Sequence, residues 1–170
     1  PLDQTAIERG TSVYFPSEVI PMLPETLSNG LCSLNPHVDR LALAVCLEIA
    51  STGRVTKYRF HEVVFQSQQR LTYNQVQDAL DAVSADHHSP EALATAIQKT
   101  GRFSSNAVAQ NVADLYSLYQ VLRSAREDRG ALDFDSVEPK FSFDEKGKIT
   151  GVVPRERLEA HKLIEECMLA

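Results

Sequence analysis

The spacing of apolar residues predicts antiparallel strand pairs. A nearly continuous apolar run at 41–49 (LALAVCLEI) is typical of a strand that is buried on both faces. After the turn residues STG, alternating positions at 55–65 predict a second strand. Two more strands are predicted at 140–143 and 148–153, because the DEKG between them ends in the glycine that hairpin loops favour. A short strand is also expected at 131–135.

Helix starts are marked by capping residues. Thr72 followed by Gln75 is a capping-box pattern, and the helix it begins should reach about residue 84. Ser89 before Pro90 is a stronger start, and that helix should end near residues 100–101. A long helix is predicted at 106–128, where apolar residues recur along one stripe.

The two ends of the chain differ in character. Residues 1–40 contain few periodic positions and include Pro16, Pro21, Pro24 and Pro36, so we expect a turn-rich segment. From about residue 155 the pattern is that of a helix, with Ala160, Leu163, Ile164 and Cys167 on its apolar face. The predicted fold class is therefore α+β, with a mixed or antiparallel sheet and several packed helices. Because the chain lacks an initial Met and a helix stop signal at its end, we expect residues 1–170 to be part of a longer protein.

Composition and charge narrow the function classes. The 170 residues carry 17 basic and 23 acidic side chains, a net charge of −6, which argues against a polynucleotide binder unless basic residues cluster locally or on neighbouring segments. No apolar stretch approaches the length of a membrane span, so no membrane partner is expected. Cys32, Cys46 and Cys167 are too few and too widely spaced for a disulfide framework or a zinc site. A soluble protein of the cytoplasm is predicted.

Few residues indicate chemistry by themselves. Asp133 and Asp135 would share one face of a strand and could contact Mg²⁺, but a site for a hard cation needs more oxygen ligands than these two. His87 and His88 are interpreted as part of a polar loop. The sequence contains no phosphate-binding loop, nucleophile elbow, dinucleotide fingerprint or zinc-binding helix motif. Taken alone, the residues predict an α+β domain and no particular reaction.

A series of motifs changes this interpretation. In chain order they are RGTSVYFP at 9–16, IPMLPE at 20–25, LSNGLCSLNP at 27–36, VDR at 38–40, LTYNQV at 71–76, AREDRG at 125–130 and HKLIEECM at 161–168. Together they resemble the catalytic domain of the bacterial ribonuclease R family, within the ribonuclease II superfamily. The resemblance covers nearly the whole chain. The sequence departs from the family pattern only at about 81–106, where it has a longer, divergent helical insertion. Motif detail alone separates ribonuclease R from ribonuclease II, and HKLIEECM favours the former.

The resemblance implies a processive, Mg²⁺-dependent exoribonuclease that degrades RNA from its 3′ end to nucleoside monophosphates. In the family, an Asp cluster that precedes the tyrosine motif holds the metal, so the cluster would lie before Pro1. The chain would then be a partial catalytic domain with no catalytic and no metal-binding residues of its own. We expect it to be inactive alone, and its partners to be the 3′ end of single-stranded RNA and the rest of the parent polypeptide.

The resemblance also assigns residues to substrate binding. Tyr14 resembles the aromatic residue that stacks on a base near the 3′ end, and Phe134 resembles its partner. Tyr73 and Glu165 resemble the pair that contacts the terminal ribose and distinguishes RNA from DNA. Each also has a structural alternative: Tyr14 and Phe134 as core aromatics, Tyr73 packed beside its helix start, and Glu165 paired with His161.

Two further expectations remain. The segment 27–36 should form a loop that shapes the RNA channel, supported by ion pairing of Asp39 and Arg40. A different class of function is a non-catalytic RNA-binding or protein-interaction module that has kept the same fold. The exoribonuclease and the non-catalytic module can be distinguished by the intact protein: several closely spaced Asp residues should precede this sequence in the exoribonuclease, and their absence would favour the module.

Overall fold

The computed structural model describes residues 2–15, 18–82, 89–132 and 139–169 and confirms an α+β fold. Within these residues the strands pair as separate two-stranded antiparallel ladders. The elements are α1 (Leu2–Arg9), β1 (Val13–Tyr14), β2 (Val19–Ile20), a π-helical segment (Thr26–Leu31), β3 (Asp39–Ile49), β4 (Val55–Gln66), α2 (Tyr73–Asp81), α3 (Pro90–Lys99), α4 (Asn106–Asp128), β5 (Pro139–Phe143), β6 (Ile149–Pro154) and α5 (Glu159–Leu169).

The long hairpin β3–β4 corrects one prediction. The strands lie where the sequence pattern places them, with Leu41 opposite Val64 and Val45 opposite Phe60. However, Leu41 is 86% exposed, so this strand is not buried on both faces in the structure. The face that carries it has no covering element among the described residues. Antiparallel pairing satisfies the backbone groups that face each other across the two strands, but it does not by itself supply a layer over either face.

The capping residues begin the helices as predicted. The Thr72 side chain accepts from the Gln75 N–H, and the Gln75 side chain accepts from the Thr72 N–H, which completes the capping box of α2. The Ser89 side chain caps α3. Helix α2 ends at Asp81, earlier than predicted, and residues 83–88 lie outside the described residues. These helices and α4 enclose a core formed by Ala79, Leu93, Ala94, Ile97, Phe103, Val108, Ala109, Val112 and Ala113.

The second half of α4 packs against α5, and this contact corrects the predicted apolar face. Ala160 and Leu163 are buried as expected, but the third buried residue of α5 is Glu166, whereas Ile164 is exposed. Glu166 is 4% exposed and forms an ion pair with Arg126 of α4, Nε to Oε1 2.8 Å. A buried carboxylate requires such a partner, because desolvation of an unpaired charge is costly. Helix α5 begins at Glu159, four residues later than predicted.

The N-terminal region is more regular than expected. Residues 2–9 form α1, and the predicted loop contains a π-helical segment. Arg40 supports this loop by donating from Nε to the Ser33 carbonyl (2.8 Å) and from Nη2 to the Gly30 carbonyl (3.3 Å). Asp39 accepts from the Gln66 side chain. The expected ion pairing is therefore replaced by hydrogen bonds, since the loop presents carbonyl groups that a guanidinium can bind.

Candidate functional site

A groove of about 960 Å³ lies between β1, the start of α2, the β5–β6 hairpin and the segment before α5. Its lining combines aromatic rings with a few polar groups. Tyr14 projects from β1 and is 77% exposed, so it is a surface residue and not part of the core. The other lining residues are Phe15, Thr72, Tyr73, Asn74, Pro139, Phe141, Phe143, Val153, Pro154, Arg155, Glu156, Leu158 and His161.

Tyr73 is held at the groove by its backbone and by its ring. It is the first residue of α2, directly after the capping-box residue Thr72, so its backbone is fixed by the helix start. Its ring stacks on the imidazole of His161, with centroids 4.1 Å apart and planes 24° from parallel. The Tyr73 residue is 43% exposed, and its open surface lines the groove. The ring is therefore oriented and still accessible.

His161 and Glu165 are one turn apart on α5. The Nδ1 atom of His161 accepts from the backbone N–H of Leu158, 3.1 Å, which satisfies an N–H at the start of this helix. Glu165 receives both Nε (3.3 Å to Oε1) and Nη2 of Arg157, a bidentate pair. Glu165 is not among the groove-lining residues that the structure describes, but its neighbour along the helix, His161, is.

A polar cluster fixes the start of α5 against α4. Glu159 Oε2 accepts from the Tyr119 hydroxyl (2.6 Å), and its Oε1 pairs with Lys162 (2.9 Å). Arg123 Nη1 donates to the same hydroxyl (2.6 Å). Because α5 carries His161 two residues after Glu159, this cluster helps to hold the helix segment that carries the imidazole.

Burial and hydrogen bonding shift the pKa values in this cluster. Burial, together with the hydrogen bond to Glu159, raises the pKa of Tyr119 from 10.0 to about 12. Burial alone would raise the pKa of Glu159, but the hydrogen bonds from Tyr119 and Lys162 outweigh it and lower that pKa. The hydrogen bonds from Arg123 to Tyr119 and Glu127 raise the pKa of its guanidinium. At neutral pH the cluster therefore holds a neutral phenol between an anion and a cation.

The structure brings some of the predicted substrate-binding residues together. Tyr14 and Tyr73, which are 59 positions apart, line the same groove, and Glu165 lies one helical turn from the groove residue His161. Phe134 falls within residues 133–138, outside the described residues. The binding roles of these residues remain predictions.

Sequence reasoning missed several groove residues. Phe141 and Phe143 alternate along β5 and both line the groove. Their period of two in a predicted strand was a usable signal, since alternate residues of a strand share a face. The pairing of Arg157 with Glu165 had no comparable signal, because it depends on the bend of the chain before α5.

The described residues contain no group of three or more His, Cys, Asp or Glu side chains that could hold a metal ion. Asp133 and Asp135 lie outside those residues. Among the described residues, no helix has the length and apolar character needed to cross a membrane.

Comparison with known proteins identifies the class. The RNB domain model matches residues 1–170, and the chain belongs to this family. It is 46% identical to ribonuclease R of Vibrio cholerae and 47% identical to ribonuclease R of Escherichia coli, in each case over 99% of the chain. The chain spans 19% of the length of these relatives. The resemblance to ribonuclease R is thus confirmed.

Solved structures agree with the fold. Mycoplasma genitalium RNase R in complex with double-stranded RNA matches 98% of this chain and 27% of its own, with a TM-score of 0.79 and 26% identity. The same enzyme in complex with ribose methylated single-stranded RNA matches 98% of this chain and 24% of its own, with a TM-score of 0.77 and 26% identity. These matches place the small antiparallel ladders and packed helices in a known RNB-domain arrangement.

Proposed function

We propose that this chain is the RNA-binding portion of the catalytic domain of a 3′→5′ exoribonuclease. Such an enzyme is a hydrolase that releases nucleoside monophosphates, and we place it in the bacterial cytoplasm. One observation carries the proposal: an accessible groove lined by aromatic rings, in a chain that belongs to the RNB domain family and resembles ribonuclease R over almost its whole length. A groove of this kind suits a single-stranded 3′ end, which can pass its bases across the rings.

Base stacking supplies binding without sequence preference. Tyr14 is exposed in the groove, and Phe141 and Phe143 line it from the facing hairpin. Stacking of a base on an aromatic ring contributes about 1–3 kcal/mol and accepts every base, because all bases present a π face. We propose that Tyr14 stacks near the 3′ end and that Phe134 is its partner. An enzyme that degrades any sequence requires contacts of this type.

Ribose recognition would distinguish RNA from DNA. A tyrosine hydroxyl and a carboxylate can both accept the hydrogen of a 2′-hydroxyl, which DNA lacks. We propose Tyr73 and Glu165 for this role. Glu165 forms a bidentate contact with Arg157 in the structure. The contact with Arg157 orients the carboxylate that we propose for ribose recognition.

Mg²⁺ would be needed for hydrolysis, where it would stabilise the charge on the attacking and leaving oxygens. The described residues do not fit this ion, because they form no acidic cluster. These residues therefore have no role as metal ligands in a metal-assisted step of hydrolysis. We propose that the metal ligands lie outside this sequence in the intact enzyme and that the 170 residues alone do not hydrolyse RNA.

RNA binding tests the proposal directly. Fluorescence anisotropy of a labelled single-stranded RNA should show binding to the full-length protein, and Tyr14→Ala should weaken it. Tyr58→Ala is the matched control, because Tyr58 is an exposed tyrosine on the β3–β4 hairpin outside the groove. Equal effects of the two substitutions would contradict a specific role for the groove.

Hydrolysis and sugar choice provide separate measurements. Activity of the isolated 170 residues with Mg²⁺, abolished by EDTA, would contradict the proposed division of the site. RNA binding without hydrolysis by the full-length protein would favour the binding-module interpretation. In the active full-length enzyme, Tyr73→Phe combined with Glu165→Ala should narrow the preference for RNA over DNA, and an unchanged preference would remove this role for the pair.

A further inference from the structure

From the stack and the helix-start contact, we infer that His161 is a positioning residue that orients Tyr73 for recognition of the ribose. The inference rests on the proposed function of Tyr73. The two rings are nearly parallel at a centroid distance of 4.1 Å, and both residues line the groove. His161 therefore supports one face of the tyrosine ring while the remaining surface of the ring is open to a ligand.

The imidazole is itself fixed in rotation. Its Nδ1 accepts from the Leu158 N–H, which ties one edge of the ring to the start of α5. The contact resembles half of a capping box, in which a side chain in the first turn of a helix binds an N–H at the helix start. A ring held in this way presents a defined plane on which Tyr73 can stack.

A second contact keeps the two helices in register. Gln77 of α2 accepts from the Ala160 N–H of α5, 3.1 Å. Gln77 is one turn from Tyr73, and Ala160 is adjacent to His161. The Tyr73–His161 stack is thus part of the packing between α2 and α5 and not an isolated contact between two exposed rings. This arrangement leaves the tyrosine hydroxyl with a restricted range of positions, which a contact to one particular hydroxyl of a sugar requires.

Two substitutions separate the ring face from the helix-start contact. His161→Phe keeps an aromatic face but loses the acceptor for the Leu158 N–H. His161→Asn keeps an acceptor atom at the position of Nδ1 but loses the ring. The inference predicts opposite effects on the sugar preference: His161→Phe should keep the preference although it loses the helix-start contact, whereas His161→Asn should lower the preference although it keeps that contact.

The assay compares kcat/KM for RNA and DNA oligonucleotides of the same sequence in the full-length enzyme. His161→Asn should lower the RNA-to-DNA ratio about two- to tenfold, the effect expected from loss of one aromatic pair. His161→Phe should leave the ratio within about twofold. If His161→Asn does not fold, as judged by its urea midpoint, His161→Leu replaces it, since leucine fills the space without a stacking face.

A double substitution tests whether His161 acts through the tyrosine. In a Tyr73→Ala background, His161→Asn should cause no further change in the ratio, because the residue that it orients is absent. A further drop in that background, or an equal drop for His161→Phe and His161→Asn, would overturn the inference.

Failure of the inference and failure of the proposed function give different results. If Tyr73→Ala lowers the ratio but His161→Asn does not, only the positioning role of His161 is lost. If Tyr73→Ala itself leaves the ratio unchanged, ribose recognition by Tyr73 is wrong and the role of His161 falls with it.

Discussion

Replacing Arg126 with methionine should destabilise the protein strongly, because it leaves the buried carboxylate of Glu166 without its partner. The two side chains are joined at 2.8 Å across the α4–α5 contact, and Glu166 is almost completely removed from water. Methionine can fill much of the space of the arginine stem. The main loss is therefore the charge partner and not the packing.

The expected magnitude follows from this burial. Removal of one partner of a buried ion pair costs about 3–5 kcal/mol, because the remaining charge is desolvated and uncompensated. An exposed pair contributes only about 0–1 kcal/mol. Lys57 and Glu48 form such a pair on the β3–β4 hairpin, 3.2 Å apart with both side chains largely exposed. Lys57→Met is thus the matched control and should cost at most about 1 kcal/mol.

Urea denaturation of the purified protein measures the difference. The free energy of unfolding is obtained for Arg126→Met, Glu166→Met, the double variant and Lys57→Met. The double variant should recover much of the loss, because it replaces both charges with apolar side chains of similar size. The resulting coupling energy should be about 2–3 kcal/mol.

The reasoning would be refuted by either of two results. One is a cost for Arg126→Met no larger than that of Lys57→Met. The other is a double variant whose loss equals the sum of the two single losses, since independent sites add and a true pair does not. Because total stabilities are about 5–15 kcal/mol, the predicted difference is well within measurement.

Three further predictions concern a turn, the cluster at α5 and the groove. Gly53→Ala should lower the free energy of unfolding in urea more than Gly101→Ala. Both glycines have positive φ (74° and 69°), but an added Cβ at Gly53 would lie 2.5 Å from the Ala125 Cβ, whereas Gly101 has open space. Equal losses for the two substitutions would contradict this prediction. Because folding raises the pKa of Tyr119 to about 12, this residue contributes about 2–3 kcal/mol to the free energy of unfolding below pH 10, and the contribution is lost as the pH rises through about 12. Tyr119→Phe should therefore make the free energy of unfolding less dependent on pH between 10 and 12. An unchanged loss of stability in this range would argue against the prediction. Tyr14→Ala in the full-length enzyme should change the length of the shortest residual RNA on a denaturing gel, and an unchanged length would remove its role near the 3′ end.

Local rules explain which sequence predictions succeeded. The starts of α2 and α3 were predictable because a cap involves residues within one turn of each other, as with Thr72 and Gln75. The bounds of α4, Asn106–Asp128, agree with the prediction from its apolar stripe, and in the structure the Ser105 side chain caps its start. The apolar face of α5 was only partly predictable. Whether Ile164 or Glu166 is buried depends on Arg126, which lies 40 positions away.

The motifs identified the family, but they did not indicate how the groove is assembled. The sequence alone showed that Tyr14, Tyr73 and HKLIEECM occur in a family-like order, and the match to the RNB domain bears out that likeness. It did not show that the Tyr73 ring rests on His161, or that Arg157 binds Glu165. Periodicity places a side chain on a face of its own element, but it contains no information about which other element meets that face.

The sequence by itself determined the type and start of most secondary structure elements and the family to which they belong. These properties follow from hydrogen bonds and side-chain periodicity within a few residues, and from ordered motifs. Only the tertiary structure decided which residues share the groove and which carboxylate of the Glu165–Glu166 pair is buried. Those outcomes arise from contacts between elements that are far apart in the sequence, such as Arg126 with Glu166 and Tyr73 with His161, and their energies depend on distance in space and not on spacing along the chain.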